Sequence, residues 1–365
     1  MTKPLRVGII GASANRGWAK ESHVLAVQKL RGFELTAIAT HRQETADAAA
    51  KAFDARSAYG NAADLIRDSD VDLVAVCVKV PDHRDLVLGA LAAGKHIYCE
   101  WPLGRNLTET EEIAAAAHTA GVHAAIGLQT RMNPAMHRAR ELVVSGAIGR
   151  LLSARLYSGT AAFSPKIAAT DAYLENAENG ATLVSIHGGH ALDLAIAVLG
   201  QLEDVTSLTT TQYPQIEVGE DSTRQARSIP DHLLVQARLT NSGALSLEVA
   251  GGRPPAASQF RLEVVGETGV LALDGGAPRG FPTGRLRLSL NGEPQPVDDG
   301  ETRSMPDTAA NVAGIYAALR DDIARGTSSA PDFTHAVRLT RLVDDVQSAA
   351  QTGTRRFAVD WPLQQ

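Results

Sequence analysis

Short apolar runs alternate with amphipathic helical patterns along the first third of this 365-residue chain. The runs are rich in β-branched residues and occupy 6–10, 33–39, 71–78, 96–100 and 124–128. Strands that alternate with helices are typical of βαβ units, and continuously apolar strands indicate a parallel sheet covered on both faces. The first domain, residues 1–128, is therefore predicted to be a Rossmann-type parallel sheet domain. Its helices are predicted at 18–31, 44–53, 62–69, 85–93 and 108–120.

After residue 128 the strands show polar–apolar alternation, which is typical of a sheet with one solvated face. Turn residues at 240–243 and 267–269 predict hairpins, with glycine supplying positive φ. The predicted strands are 151–158, 232–239, 244–250, 260–266, 270–273 and 286–290. The predicted helices, expected to cover the other face of this antiparallel sheet, are 134–145, 181–199, 309–325 and 333–351. Residues 129–365 are thus predicted to form one second domain.

Composition narrows the class of protein. The formal net charge of −6 argues against a nucleic-acid-binding surface, which needs clustered Lys and Arg. No apolar run approaches the length of a membrane span, and no signal peptide is recognised at the N-terminus. The two cysteines, Cys77 and Cys99, lie in apolar runs and indicate buried thiols in a reducing compartment. We therefore predict a cytoplasmic protein that binds neither nucleic acid nor membrane.

A glycine-containing loop follows the first strand, where glycine lets backbone amides approach a pyrophosphate at the start of a helix. The usual Gly-x-Gly-x-x-Gly spacing is broken, because Ser13 takes a glycine position and extra residues precede Gly17. An ordinary βα turn is the alternative. The position in the first βαβ unit favours dinucleotide binding through Gly11, Ser13, Asn15, Gly17 and Trp18.

The second strand ends in Thr40, His41 and Arg42, where NAD-specific proteins usually carry an acidic residue for the ribose hydroxyls. A guanidinium there can pair with a 2′-phosphate. NADP(H) is therefore preferred over NAD(H), and the alternative is that Arg42 is simply solvated.

Taken together, ordered segments of the chain resemble the Gfo/Idh/MocA oxidoreductase family, at 7–11, 80–83, 93–103, 127–131, 180–193 and 263–269. The resemblance implies a nucleotide-binding domain followed by an α/β domain with an open, mostly antiparallel sheet. It also implies hydride transfer between a nicotinamide ring and a sugar or polyol, and a homodimer formed through that sheet.

Within the family, several segments resemble the branch that contains the fungal galactose-pathway repressor and its bacterial relatives. They are 17–20, 78–81, Glu100–Trp101, 164–166, 189–193 and 230–234. That repressor binds a dinucleotide but acts through a protein partner. The resemblance adds to the expected cofactor-binding residues Val78, Lys79, Val80, His83, Glu100, Trp101 and Gln129.

The family's acid–base groups are only partly present. Trp101 stands where the family has the lysine of Glu-Lys-Pro, and Ile186 stands where it has an aspartate. His190 matches the family's histidine and is the leading catalytic candidate, although a packed core histidine is the alternative. His187, three residues earlier, is a substitute proton carrier. The pair could bind a metal only with a third ligand, which the spacing does not supply, so no metal site is predicted.

Two further residues are candidates for the substrate site. Lys166 could replace the missing lysine, although a surface lysine is the alternative, and Tyr173 is a donor in the same loop. Trp101 offers a flat wall, so the predicted substrate-binding residues are Trp101, Tyr173, His187 and His190. We predict an NAD(P)-dependent oxidoreductase acting on a sugar-like small molecule. The alternatives are a silent dinucleotide-binding regulator with a protein partner, or a lyase or isomerase.

Overall fold

The computed structural model describes residues 3–358, and its first third alternates strands with helices as predicted. The strands are β1 (Leu5–Ile10), β2 (Phe33–Ala39), β3 (Ser57–Tyr59), β4 (Leu73–Val76), β5 (His96–Glu100) and β6 (Ala124–Gly127). The helices are α1 (Leu25–Lys29), α2 (Gln43–Phe53), α3 (Ala62–Arg67), α4 (His83–Ala92) and α5 (Leu107–Ala120).

The strands β1 to β6 form a six-stranded parallel sheet in the order β3-β2-β1-β4-β5-β6. This is the doubly wound order of dinucleotide-binding domains, and it confirms the predicted fold class. The order reverses between β1 and β4, whose residues 7–10 and 73–76 are all buried, as in a sheet covered on both faces. The loops that follow these two strands therefore meet at the carboxyl edge of the sheet, where ligands of this fold bind.

The remaining elements follow in chain order. They are α6 (Pro134–Val144), β7 (Leu151–Gly159), β8 (Lys166–Ile167), α7 (Gly189–Leu199), β9 (Leu202–Thr210), β10 (Gln215–Val218), β11 (Thr223–Ala226), β12 (His232–Leu239), β13 (Ala244–Ala250), β14 (Phe260–Gly266), β15 (Val270–Gly275), β16 (Arg287–Leu290), β17 (Glu293–Pro294), α8 (Asp307–Arg325), α9 (Phe333–Thr352) and β18 (Arg356–Phe357). No helix within residues 3–358 is long and apolar enough to cross a membrane.

Nine of these strands form a mixed, mostly antiparallel sheet in the order β17-β16-β15-β14-β7-β13-β12-β9-β18. The predicted hairpins are confirmed as β12–β13 and β14–β15, while β7 and β13 pair in parallel. A second, three-stranded sheet joins β8, β10 and β11. None of its three strands was among the predicted ones.

The chain divides into two compact units, and the division differs from the predicted boundary at 128. Of the described residues, the first unit comprises 3–132 and 299–337, and the second comprises 133–298 and 338–358. Helix α8 was expected to cover the antiparallel sheet but belongs to the first unit. The reason is its apolar face, where Ala309, Val312 and Tyr316 pack into the same core as β1 residues Val7 and Ile9.

The helices predicted at 18–31 and 181–199 are present over 18–29 and 183–199, and each contains a π-helical turn. Lys20–Val24 is a π turn that runs into α1, and Val184–Gly188 is a π turn that runs into α7. Serine hydroxyls compete for backbone carbonyls at both places. Ser22 Oγ donates to the Trp18 carbonyl at 2.6 Å, and Ser185 Oγ donates to the Gly180 carbonyl at 2.7 Å. Such back-bonding weakens the regular helical ladder.

Candidate functional site

The loop after β1 approaches the loop after β4 at Gly11. Its φ is +99°, and an added Cβ would lie 2.4 Å from the Cys77 carbonyl oxygen. Only glycine allows this approach, because a backbone oxygen cannot move aside. Further along the loop, Gly17 has a φ of +106° and no atom lies within 4 Å of its added Cβ. The loop is therefore tightly packed at Gly11, where it leaves β1, and unobstructed at Gly17, where it enters the next helix.

The loop backbone is anchored by a lysine from the π turn that follows it. Lys20 Nζ donates to the Ala14 carbonyl at 2.8 Å, with the Asn15 carbonyl at 3.4 Å. The carbonyls of Ala14 and Asn15 thus point toward the Lys20 ammonium group. Amides of the loop remain available to bind an anion such as a phosphate. Ser13 and Trp18 are half-buried and Asn15 is exposed.

Four buried polar atoms of the first unit make no hydrogen bond within residues 3–358. One is the Tyr98 hydroxyl, within β5, and the other three are Trp18 Nε1, Gln129 Oε1 and Thr130 Oγ1. Trp18 follows the glycine loop, and Gln129 and Thr130 follow β6 at the carboxyl edge of the sheet. Buried polar groups normally have partners, so unmatched ones at this edge indicate that a ligand supplies them. The residues present thus fit a dinucleotide.

The end of β2 carries the residues expected to distinguish NADP from NAD. Thr40 Oγ1 donates to the Arg42 carbonyl at 2.9 Å and lies 2.6 Å from Thr45 Oγ1, so its hydroxyl is used within the turn. Arg42 and His41 are exposed. Helix α2 begins here with no side chain capping its first amides. A phosphate could therefore meet both the guanidinium and these amides.

The loops after β4 and β5 are joined by His83. Its Nδ1 lies 2.9 Å from the Pro102 carbonyl, and its Nε2 lies 3.1 Å from the Val78 carbonyl. Burial lowers the pKa of this imidazole. His83, predicted to bind cofactor, thus has both ring nitrogens on backbone carbonyls and shapes the edge of the sheet. Of its neighbours, Lys79 is exposed and Val80 is buried.

Glu100 ends β5 and is held by two residues that the sequence analysis missed. His23 Nε2 lies 2.7 Å from Glu100 Oε1, and His23 Nδ1 lies 2.9 Å from the Tyr316 hydroxyl. In the sequence His23 sits among apolar helix positions, and its partners are 77 and 293 positions away, so no local signal marks it. Trp101, the next residue, is buried and joined to Pro102 by a cis peptide bond.

In the second unit, His187 lies in a π turn, and single π turns occur often at functional sites. It is 7% exposed, and its Nδ1 makes no hydrogen bond within residues 3–358. Its ring meets the Phe163 ring edge-on at 5.9 Å, and Gly280 leaves room beside it, since an added Cβ there would lie 2.9 Å from Nδ1. Nδ1 is thus a buried polar atom in a ring that lies against Gly280, where any side chain would collide with it.

Burial, and secondarily the nearby His190, lower the pKa of His187 to about 3. His187 is therefore neutral at physiological pH and can give or take a hydrogen bond without holding a second proton. His190 lies in the first turn of α7 and is 8% exposed. Ile186, which replaces the family's aspartate, is half-buried and cannot transfer a proton.

The neutral state of His187 predicts a pH dependence of stability. An unfolded histidine titrates near pH 6.5, so below that pH the unfolded chain takes up a proton that the folded chain refuses. The free energy of unfolding should fall by about 2 kcal/mol between pH 7 and pH 5 from this group alone. Urea unfolding of the wild type and of His187→Gln at both pH values isolates that contribution. An identical pH slope in the two proteins would contradict it.

The remaining candidates lie elsewhere in the second unit. Lys166 is in β8, with a side chain 79% exposed and its Nζ 3.2 Å from Glu217 Oε2. It is thus an exposed cation with a carboxylate partner, and its role as a base stays a prediction. Tyr173 is half-buried, and burial raises its pKa.

A buried ionic cluster near these residues was also missed. The Arg227 guanidinium uses all five of its donors, on Glu175, Asp231 and the carbonyls of Phe163 and Ser164. Asp231 in turn accepts from the backbone amides of Gln212 and Tyr213 at 2.7 and 2.9 Å. This Arg227 cluster therefore joins the segments 163–175 and 212–231 by hydrogen bonds.

The first unit is thus a doubly wound dinucleotide-binding domain, and the second is an α/β unit with an open, mixed sheet. Residues 5–128 match the oxidoreductase family with an NAD-binding Rossmann fold, and residues 134–275 match the Gal80p C-terminal domain. By these two matches, the chain combines a nucleotide-binding part like that of the Gfo/Idh/MocA oxidoreductases with a second part like that of Gal80p.

Individual relatives point in two directions. The dehydrogenase aclE of Aspergillus oryzae is 29% identical over 366 residues, covering 97% of this chain and 98% of that protein. The galactose/lactose metabolism regulatory protein GAL80 of Saccharomyces cerevisiae is 27% identical over 299 residues, covering 75% of this chain and 67% of that protein. The crystal structure of a super-repressor mutant of Gal80p from the same yeast superposes with a TM-score of 0.86 at 25% identity, covering 97% of this chain and 98% of that one.

Proposed function

We propose that this protein is a nicotinamide-dinucleotide-dependent oxidoreductase acting on a sugar-like or other small polyhydroxylated molecule. The observation that carries the cofactor assignment is the set of buried, unmatched polar atoms of Trp18, Gln129 and Thr130 at the carboxyl edge of the parallel sheet. Similarity to a dehydrogenase along nearly the whole chain supports the enzymatic part.

The glycine loop would hold the pyrophosphate with its backbone amides, and Trp18 and Gln129 would contact the cofactor with their unmatched atoms. The exposed Arg42 and the uncapped start of α2 favour NADP(H) over NAD(H). When bound, the cofactor supplies the nicotinamide carbon that accepts or donates hydride.

In this proposal, two histidines of the second unit act on the substrate, one by proton transfer and one by orienting it. His190 holds or releases the proton of the substrate hydroxyl, because Trp101 and Ile186 have no group that can do so. His187 is neutral, so it orients the substrate through its unmatched Nδ1. Trp101 and Tyr173 remain predicted contacts of the substrate.

The test begins with titration of tryptophan fluorescence by NADPH and NADH, followed by hydride exchange against a panel of sugars and polyols. His190→Asn should lower kcat by about 10²- to 10⁴-fold, the usual contribution of a general acid or base. Its dissociation constant for NADPH should stay within about twofold of wild type, since the nucleotide is held by the other unit.

Two further variants make this result specific. His118→Asn removes an exposed histidine of α5 and should leave kcat unchanged. Lys166→Ala tests the competing base, and a loss equal to that of His190→Asn would transfer the acid–base role to Lys166. Nucleotide binding without turnover of any substrate in the panel would count against the oxidoreductase assignment.

A nucleotide-binding regulator is the second candidate function. It is favoured by the likeness to Gal80p over 97% of the chain and by the non-ionisable Trp101 and Ile186. Such a protein would bind the dinucleotide tightly and act through a protein partner. Trp101→Lys combined with Ile186→Asp restores the family's acid–base set, and turnover gained only by that double variant would support this second candidate.

The proposed assembly is a homodimer through the solvent-facing side of the nine-stranded sheet. Leu208 on β9 and Leu234 on β12 are directly paired on that face and are 54% and 39% exposed. Adjacent exposed leucines are typical of an interaction surface. Sedimentation equilibrium measures the assembly, and a monomer at micromolar concentration would exclude it.

A further inference from the structure

Three side chains of the first unit form a hydrogen-bonded line that ends at the carboxyl edge of the parallel sheet. Tyr316 comes from α8, His23 from the π turn before α1, and Glu100 from the end of β5. The hydroxyl of Tyr316 lies 2.9 Å from His23 Nδ1, and His23 Nε2 lies 2.7 Å from Glu100 Oε1. His23 and Tyr316 are fully buried, whereas the Glu100 side chain is 16% exposed.

The line has a direction, set by which atoms can donate. A carboxylate oxygen only accepts, so His23 Nε2 carries a hydrogen and donates it to Glu100. Nδ1 can then accept from the Tyr316 hydroxyl, whose pKa burial raises well above its usual value. Glu100 is thus held as the acceptor, and its carboxylate is oriented from behind by buried groups.

The neighbouring strand is built to admit this carboxylate. A Cβ added to Gly127, at the end of β6, would lie 3.0 Å from Glu100 Oε1 and 3.0 Å from Glu100 Cα. Glycine at this position therefore leaves the space in which the carboxylate sits. Two separate features, a hydrogen-bond line and a missing side chain, fix Glu100 in one place.

The strand order assigns that place to one half of a dinucleotide. In this fold the two mononucleotides lie on either side of the switch between β1 and β4. The end of β2 and the start of α2 would take the adenosine half, with its ribose and any 2′-phosphate. Glu100 ends β5, on the other side of the switch, and so faces the nicotinamide half.

We propose that the Tyr316–His23–Glu100 line makes the protein bind the oxidised dinucleotide in preference to the reduced one. This rests on the proposed dinucleotide binding. The oxidised nicotinamide ring carries a positive charge and the reduced ring is neutral, so a fixed carboxylate attracts only the oxidised form. Tyr316 and His23 act as positioning residues, because they fix the carboxylate without touching the ring.

The experiment measures dissociation constants for NADP⁺ and NADPH separately, by calorimetry on the full chain. Glu100→Gln keeps the shape and removes the charge, so it should weaken NADP⁺ binding by about tenfold and leave NADPH binding nearly unchanged. Tyr316→Phe removes one hydroxyl and should shift the ratio of the two constants by about two- to threefold in the same direction. Glu109→Gln, a buried glutamate paired with Arg105, is the matched control and should leave the ratio unchanged.

The possible results separate this inference from the proposed function. Equal weakening of both nucleotide forms in Glu100→Gln, with an unchanged ratio, would show a purely structural role and overturn the inference. If the wild type binds neither form, the proposed cofactor itself is wrong and the inference fails with it. Should Glu100→Gln not fold, Tyr316→Phe carries the decision, and an unchanged ratio in that variant overturns the inference equally.

Discussion

Arg227→Met should lower the free energy of unfolding of the second unit by about 3–5 kcal/mol. The guanidinium is 0% exposed and its two carboxylate partners, Glu175 and Asp231, are 5% and 1% exposed. Removing the cation leaves two buried carboxylates without their counter-ion, of which Asp231 keeps only its two backbone amide donors. Such a loss costs more than the attraction alone. Urea unfolding followed by circular dichroism measures the change.

The same region supplies a matched control. Arg224 is 79% exposed and lies 3.5 Å from Glu217, so Arg224→Met should change stability by no more than about 0.5 kcal/mol. Adding Glu175→Gln and Asp231→Asn to Arg227→Met should recover part of the loss, because the uncompensated charges are gone. Equal losses in Arg227→Met and Arg224→Met would show that burial of the Arg227 cluster has no energetic consequence.

Gly11→Ala should weaken dinucleotide binding by at least about thirtyfold, equivalent to about 2 kcal/mol. The methyl group would lie 2.4 Å from the Cys77 carbonyl oxygen, and a φ of +99° is strained for any L side chain. The loop after β1 must then move away from β4 and lose the arrangement of its amides. Fluorescence titration with NADPH measures the change in the dissociation constant.

Gly94→Ala is the control for this second prediction. Gly94 also has a positive φ, of +69°, but nothing lies within 4 Å of its added Cβ. It follows α4 and precedes β5, at the end of the sheet opposite the glycine loop. Its substitution should cost some stability and leave nucleotide affinity within about twofold. Comparable binding losses in both variants would mean that backbone strain, rather than the close approach at Gly11, controls affinity.

The parallel sheet was predictable because its information is local. The run 73–78 is apolar without interruption, and such a short run is typical of a strand that is buried on both faces. The glycine loop was likewise found despite its irregular spacing, because its place after the first strand is visible in the sequence. Elements of this kind depend on neighbours within a few residues.

The ionic groups were not predictable, because their partners lie far away in the sequence. Arg227 joins residues 52 and 64 positions before it, and neither its charge nor its surroundings distinguish it from exposed arginines such as Arg224. The ion pair of Lys166 was not predictable for the same reason. Its pairing with Glu217 depends on the small sheet of β8 and β10, whose strands gave no clear pattern.

Helix α8 shows a third kind of limit. Its amphipathic pattern correctly predicts a helix that buries one face, but the pattern does not say which core receives that face. Only the folded chain shows that the face packs with β1. Tyr316 lies on this face, so its contact with His23 could not be predicted from the sequence either.

The two π turns make chain length, as well as residue identity, a determinant of this protein. A π turn holds one residue more than the α turn it replaces, so it is equivalent to a one-residue insertion within a helix. His23 and His187 both lie in such turns. Losing a single residue from either turn would rotate the preceding segment by about 100° about the helix axis and carry the histidine away from its neighbours. The positions of these two histidines therefore depend on the number of residues in each helix. Substitutions leave that number unchanged, so only a deletion tests this dependence.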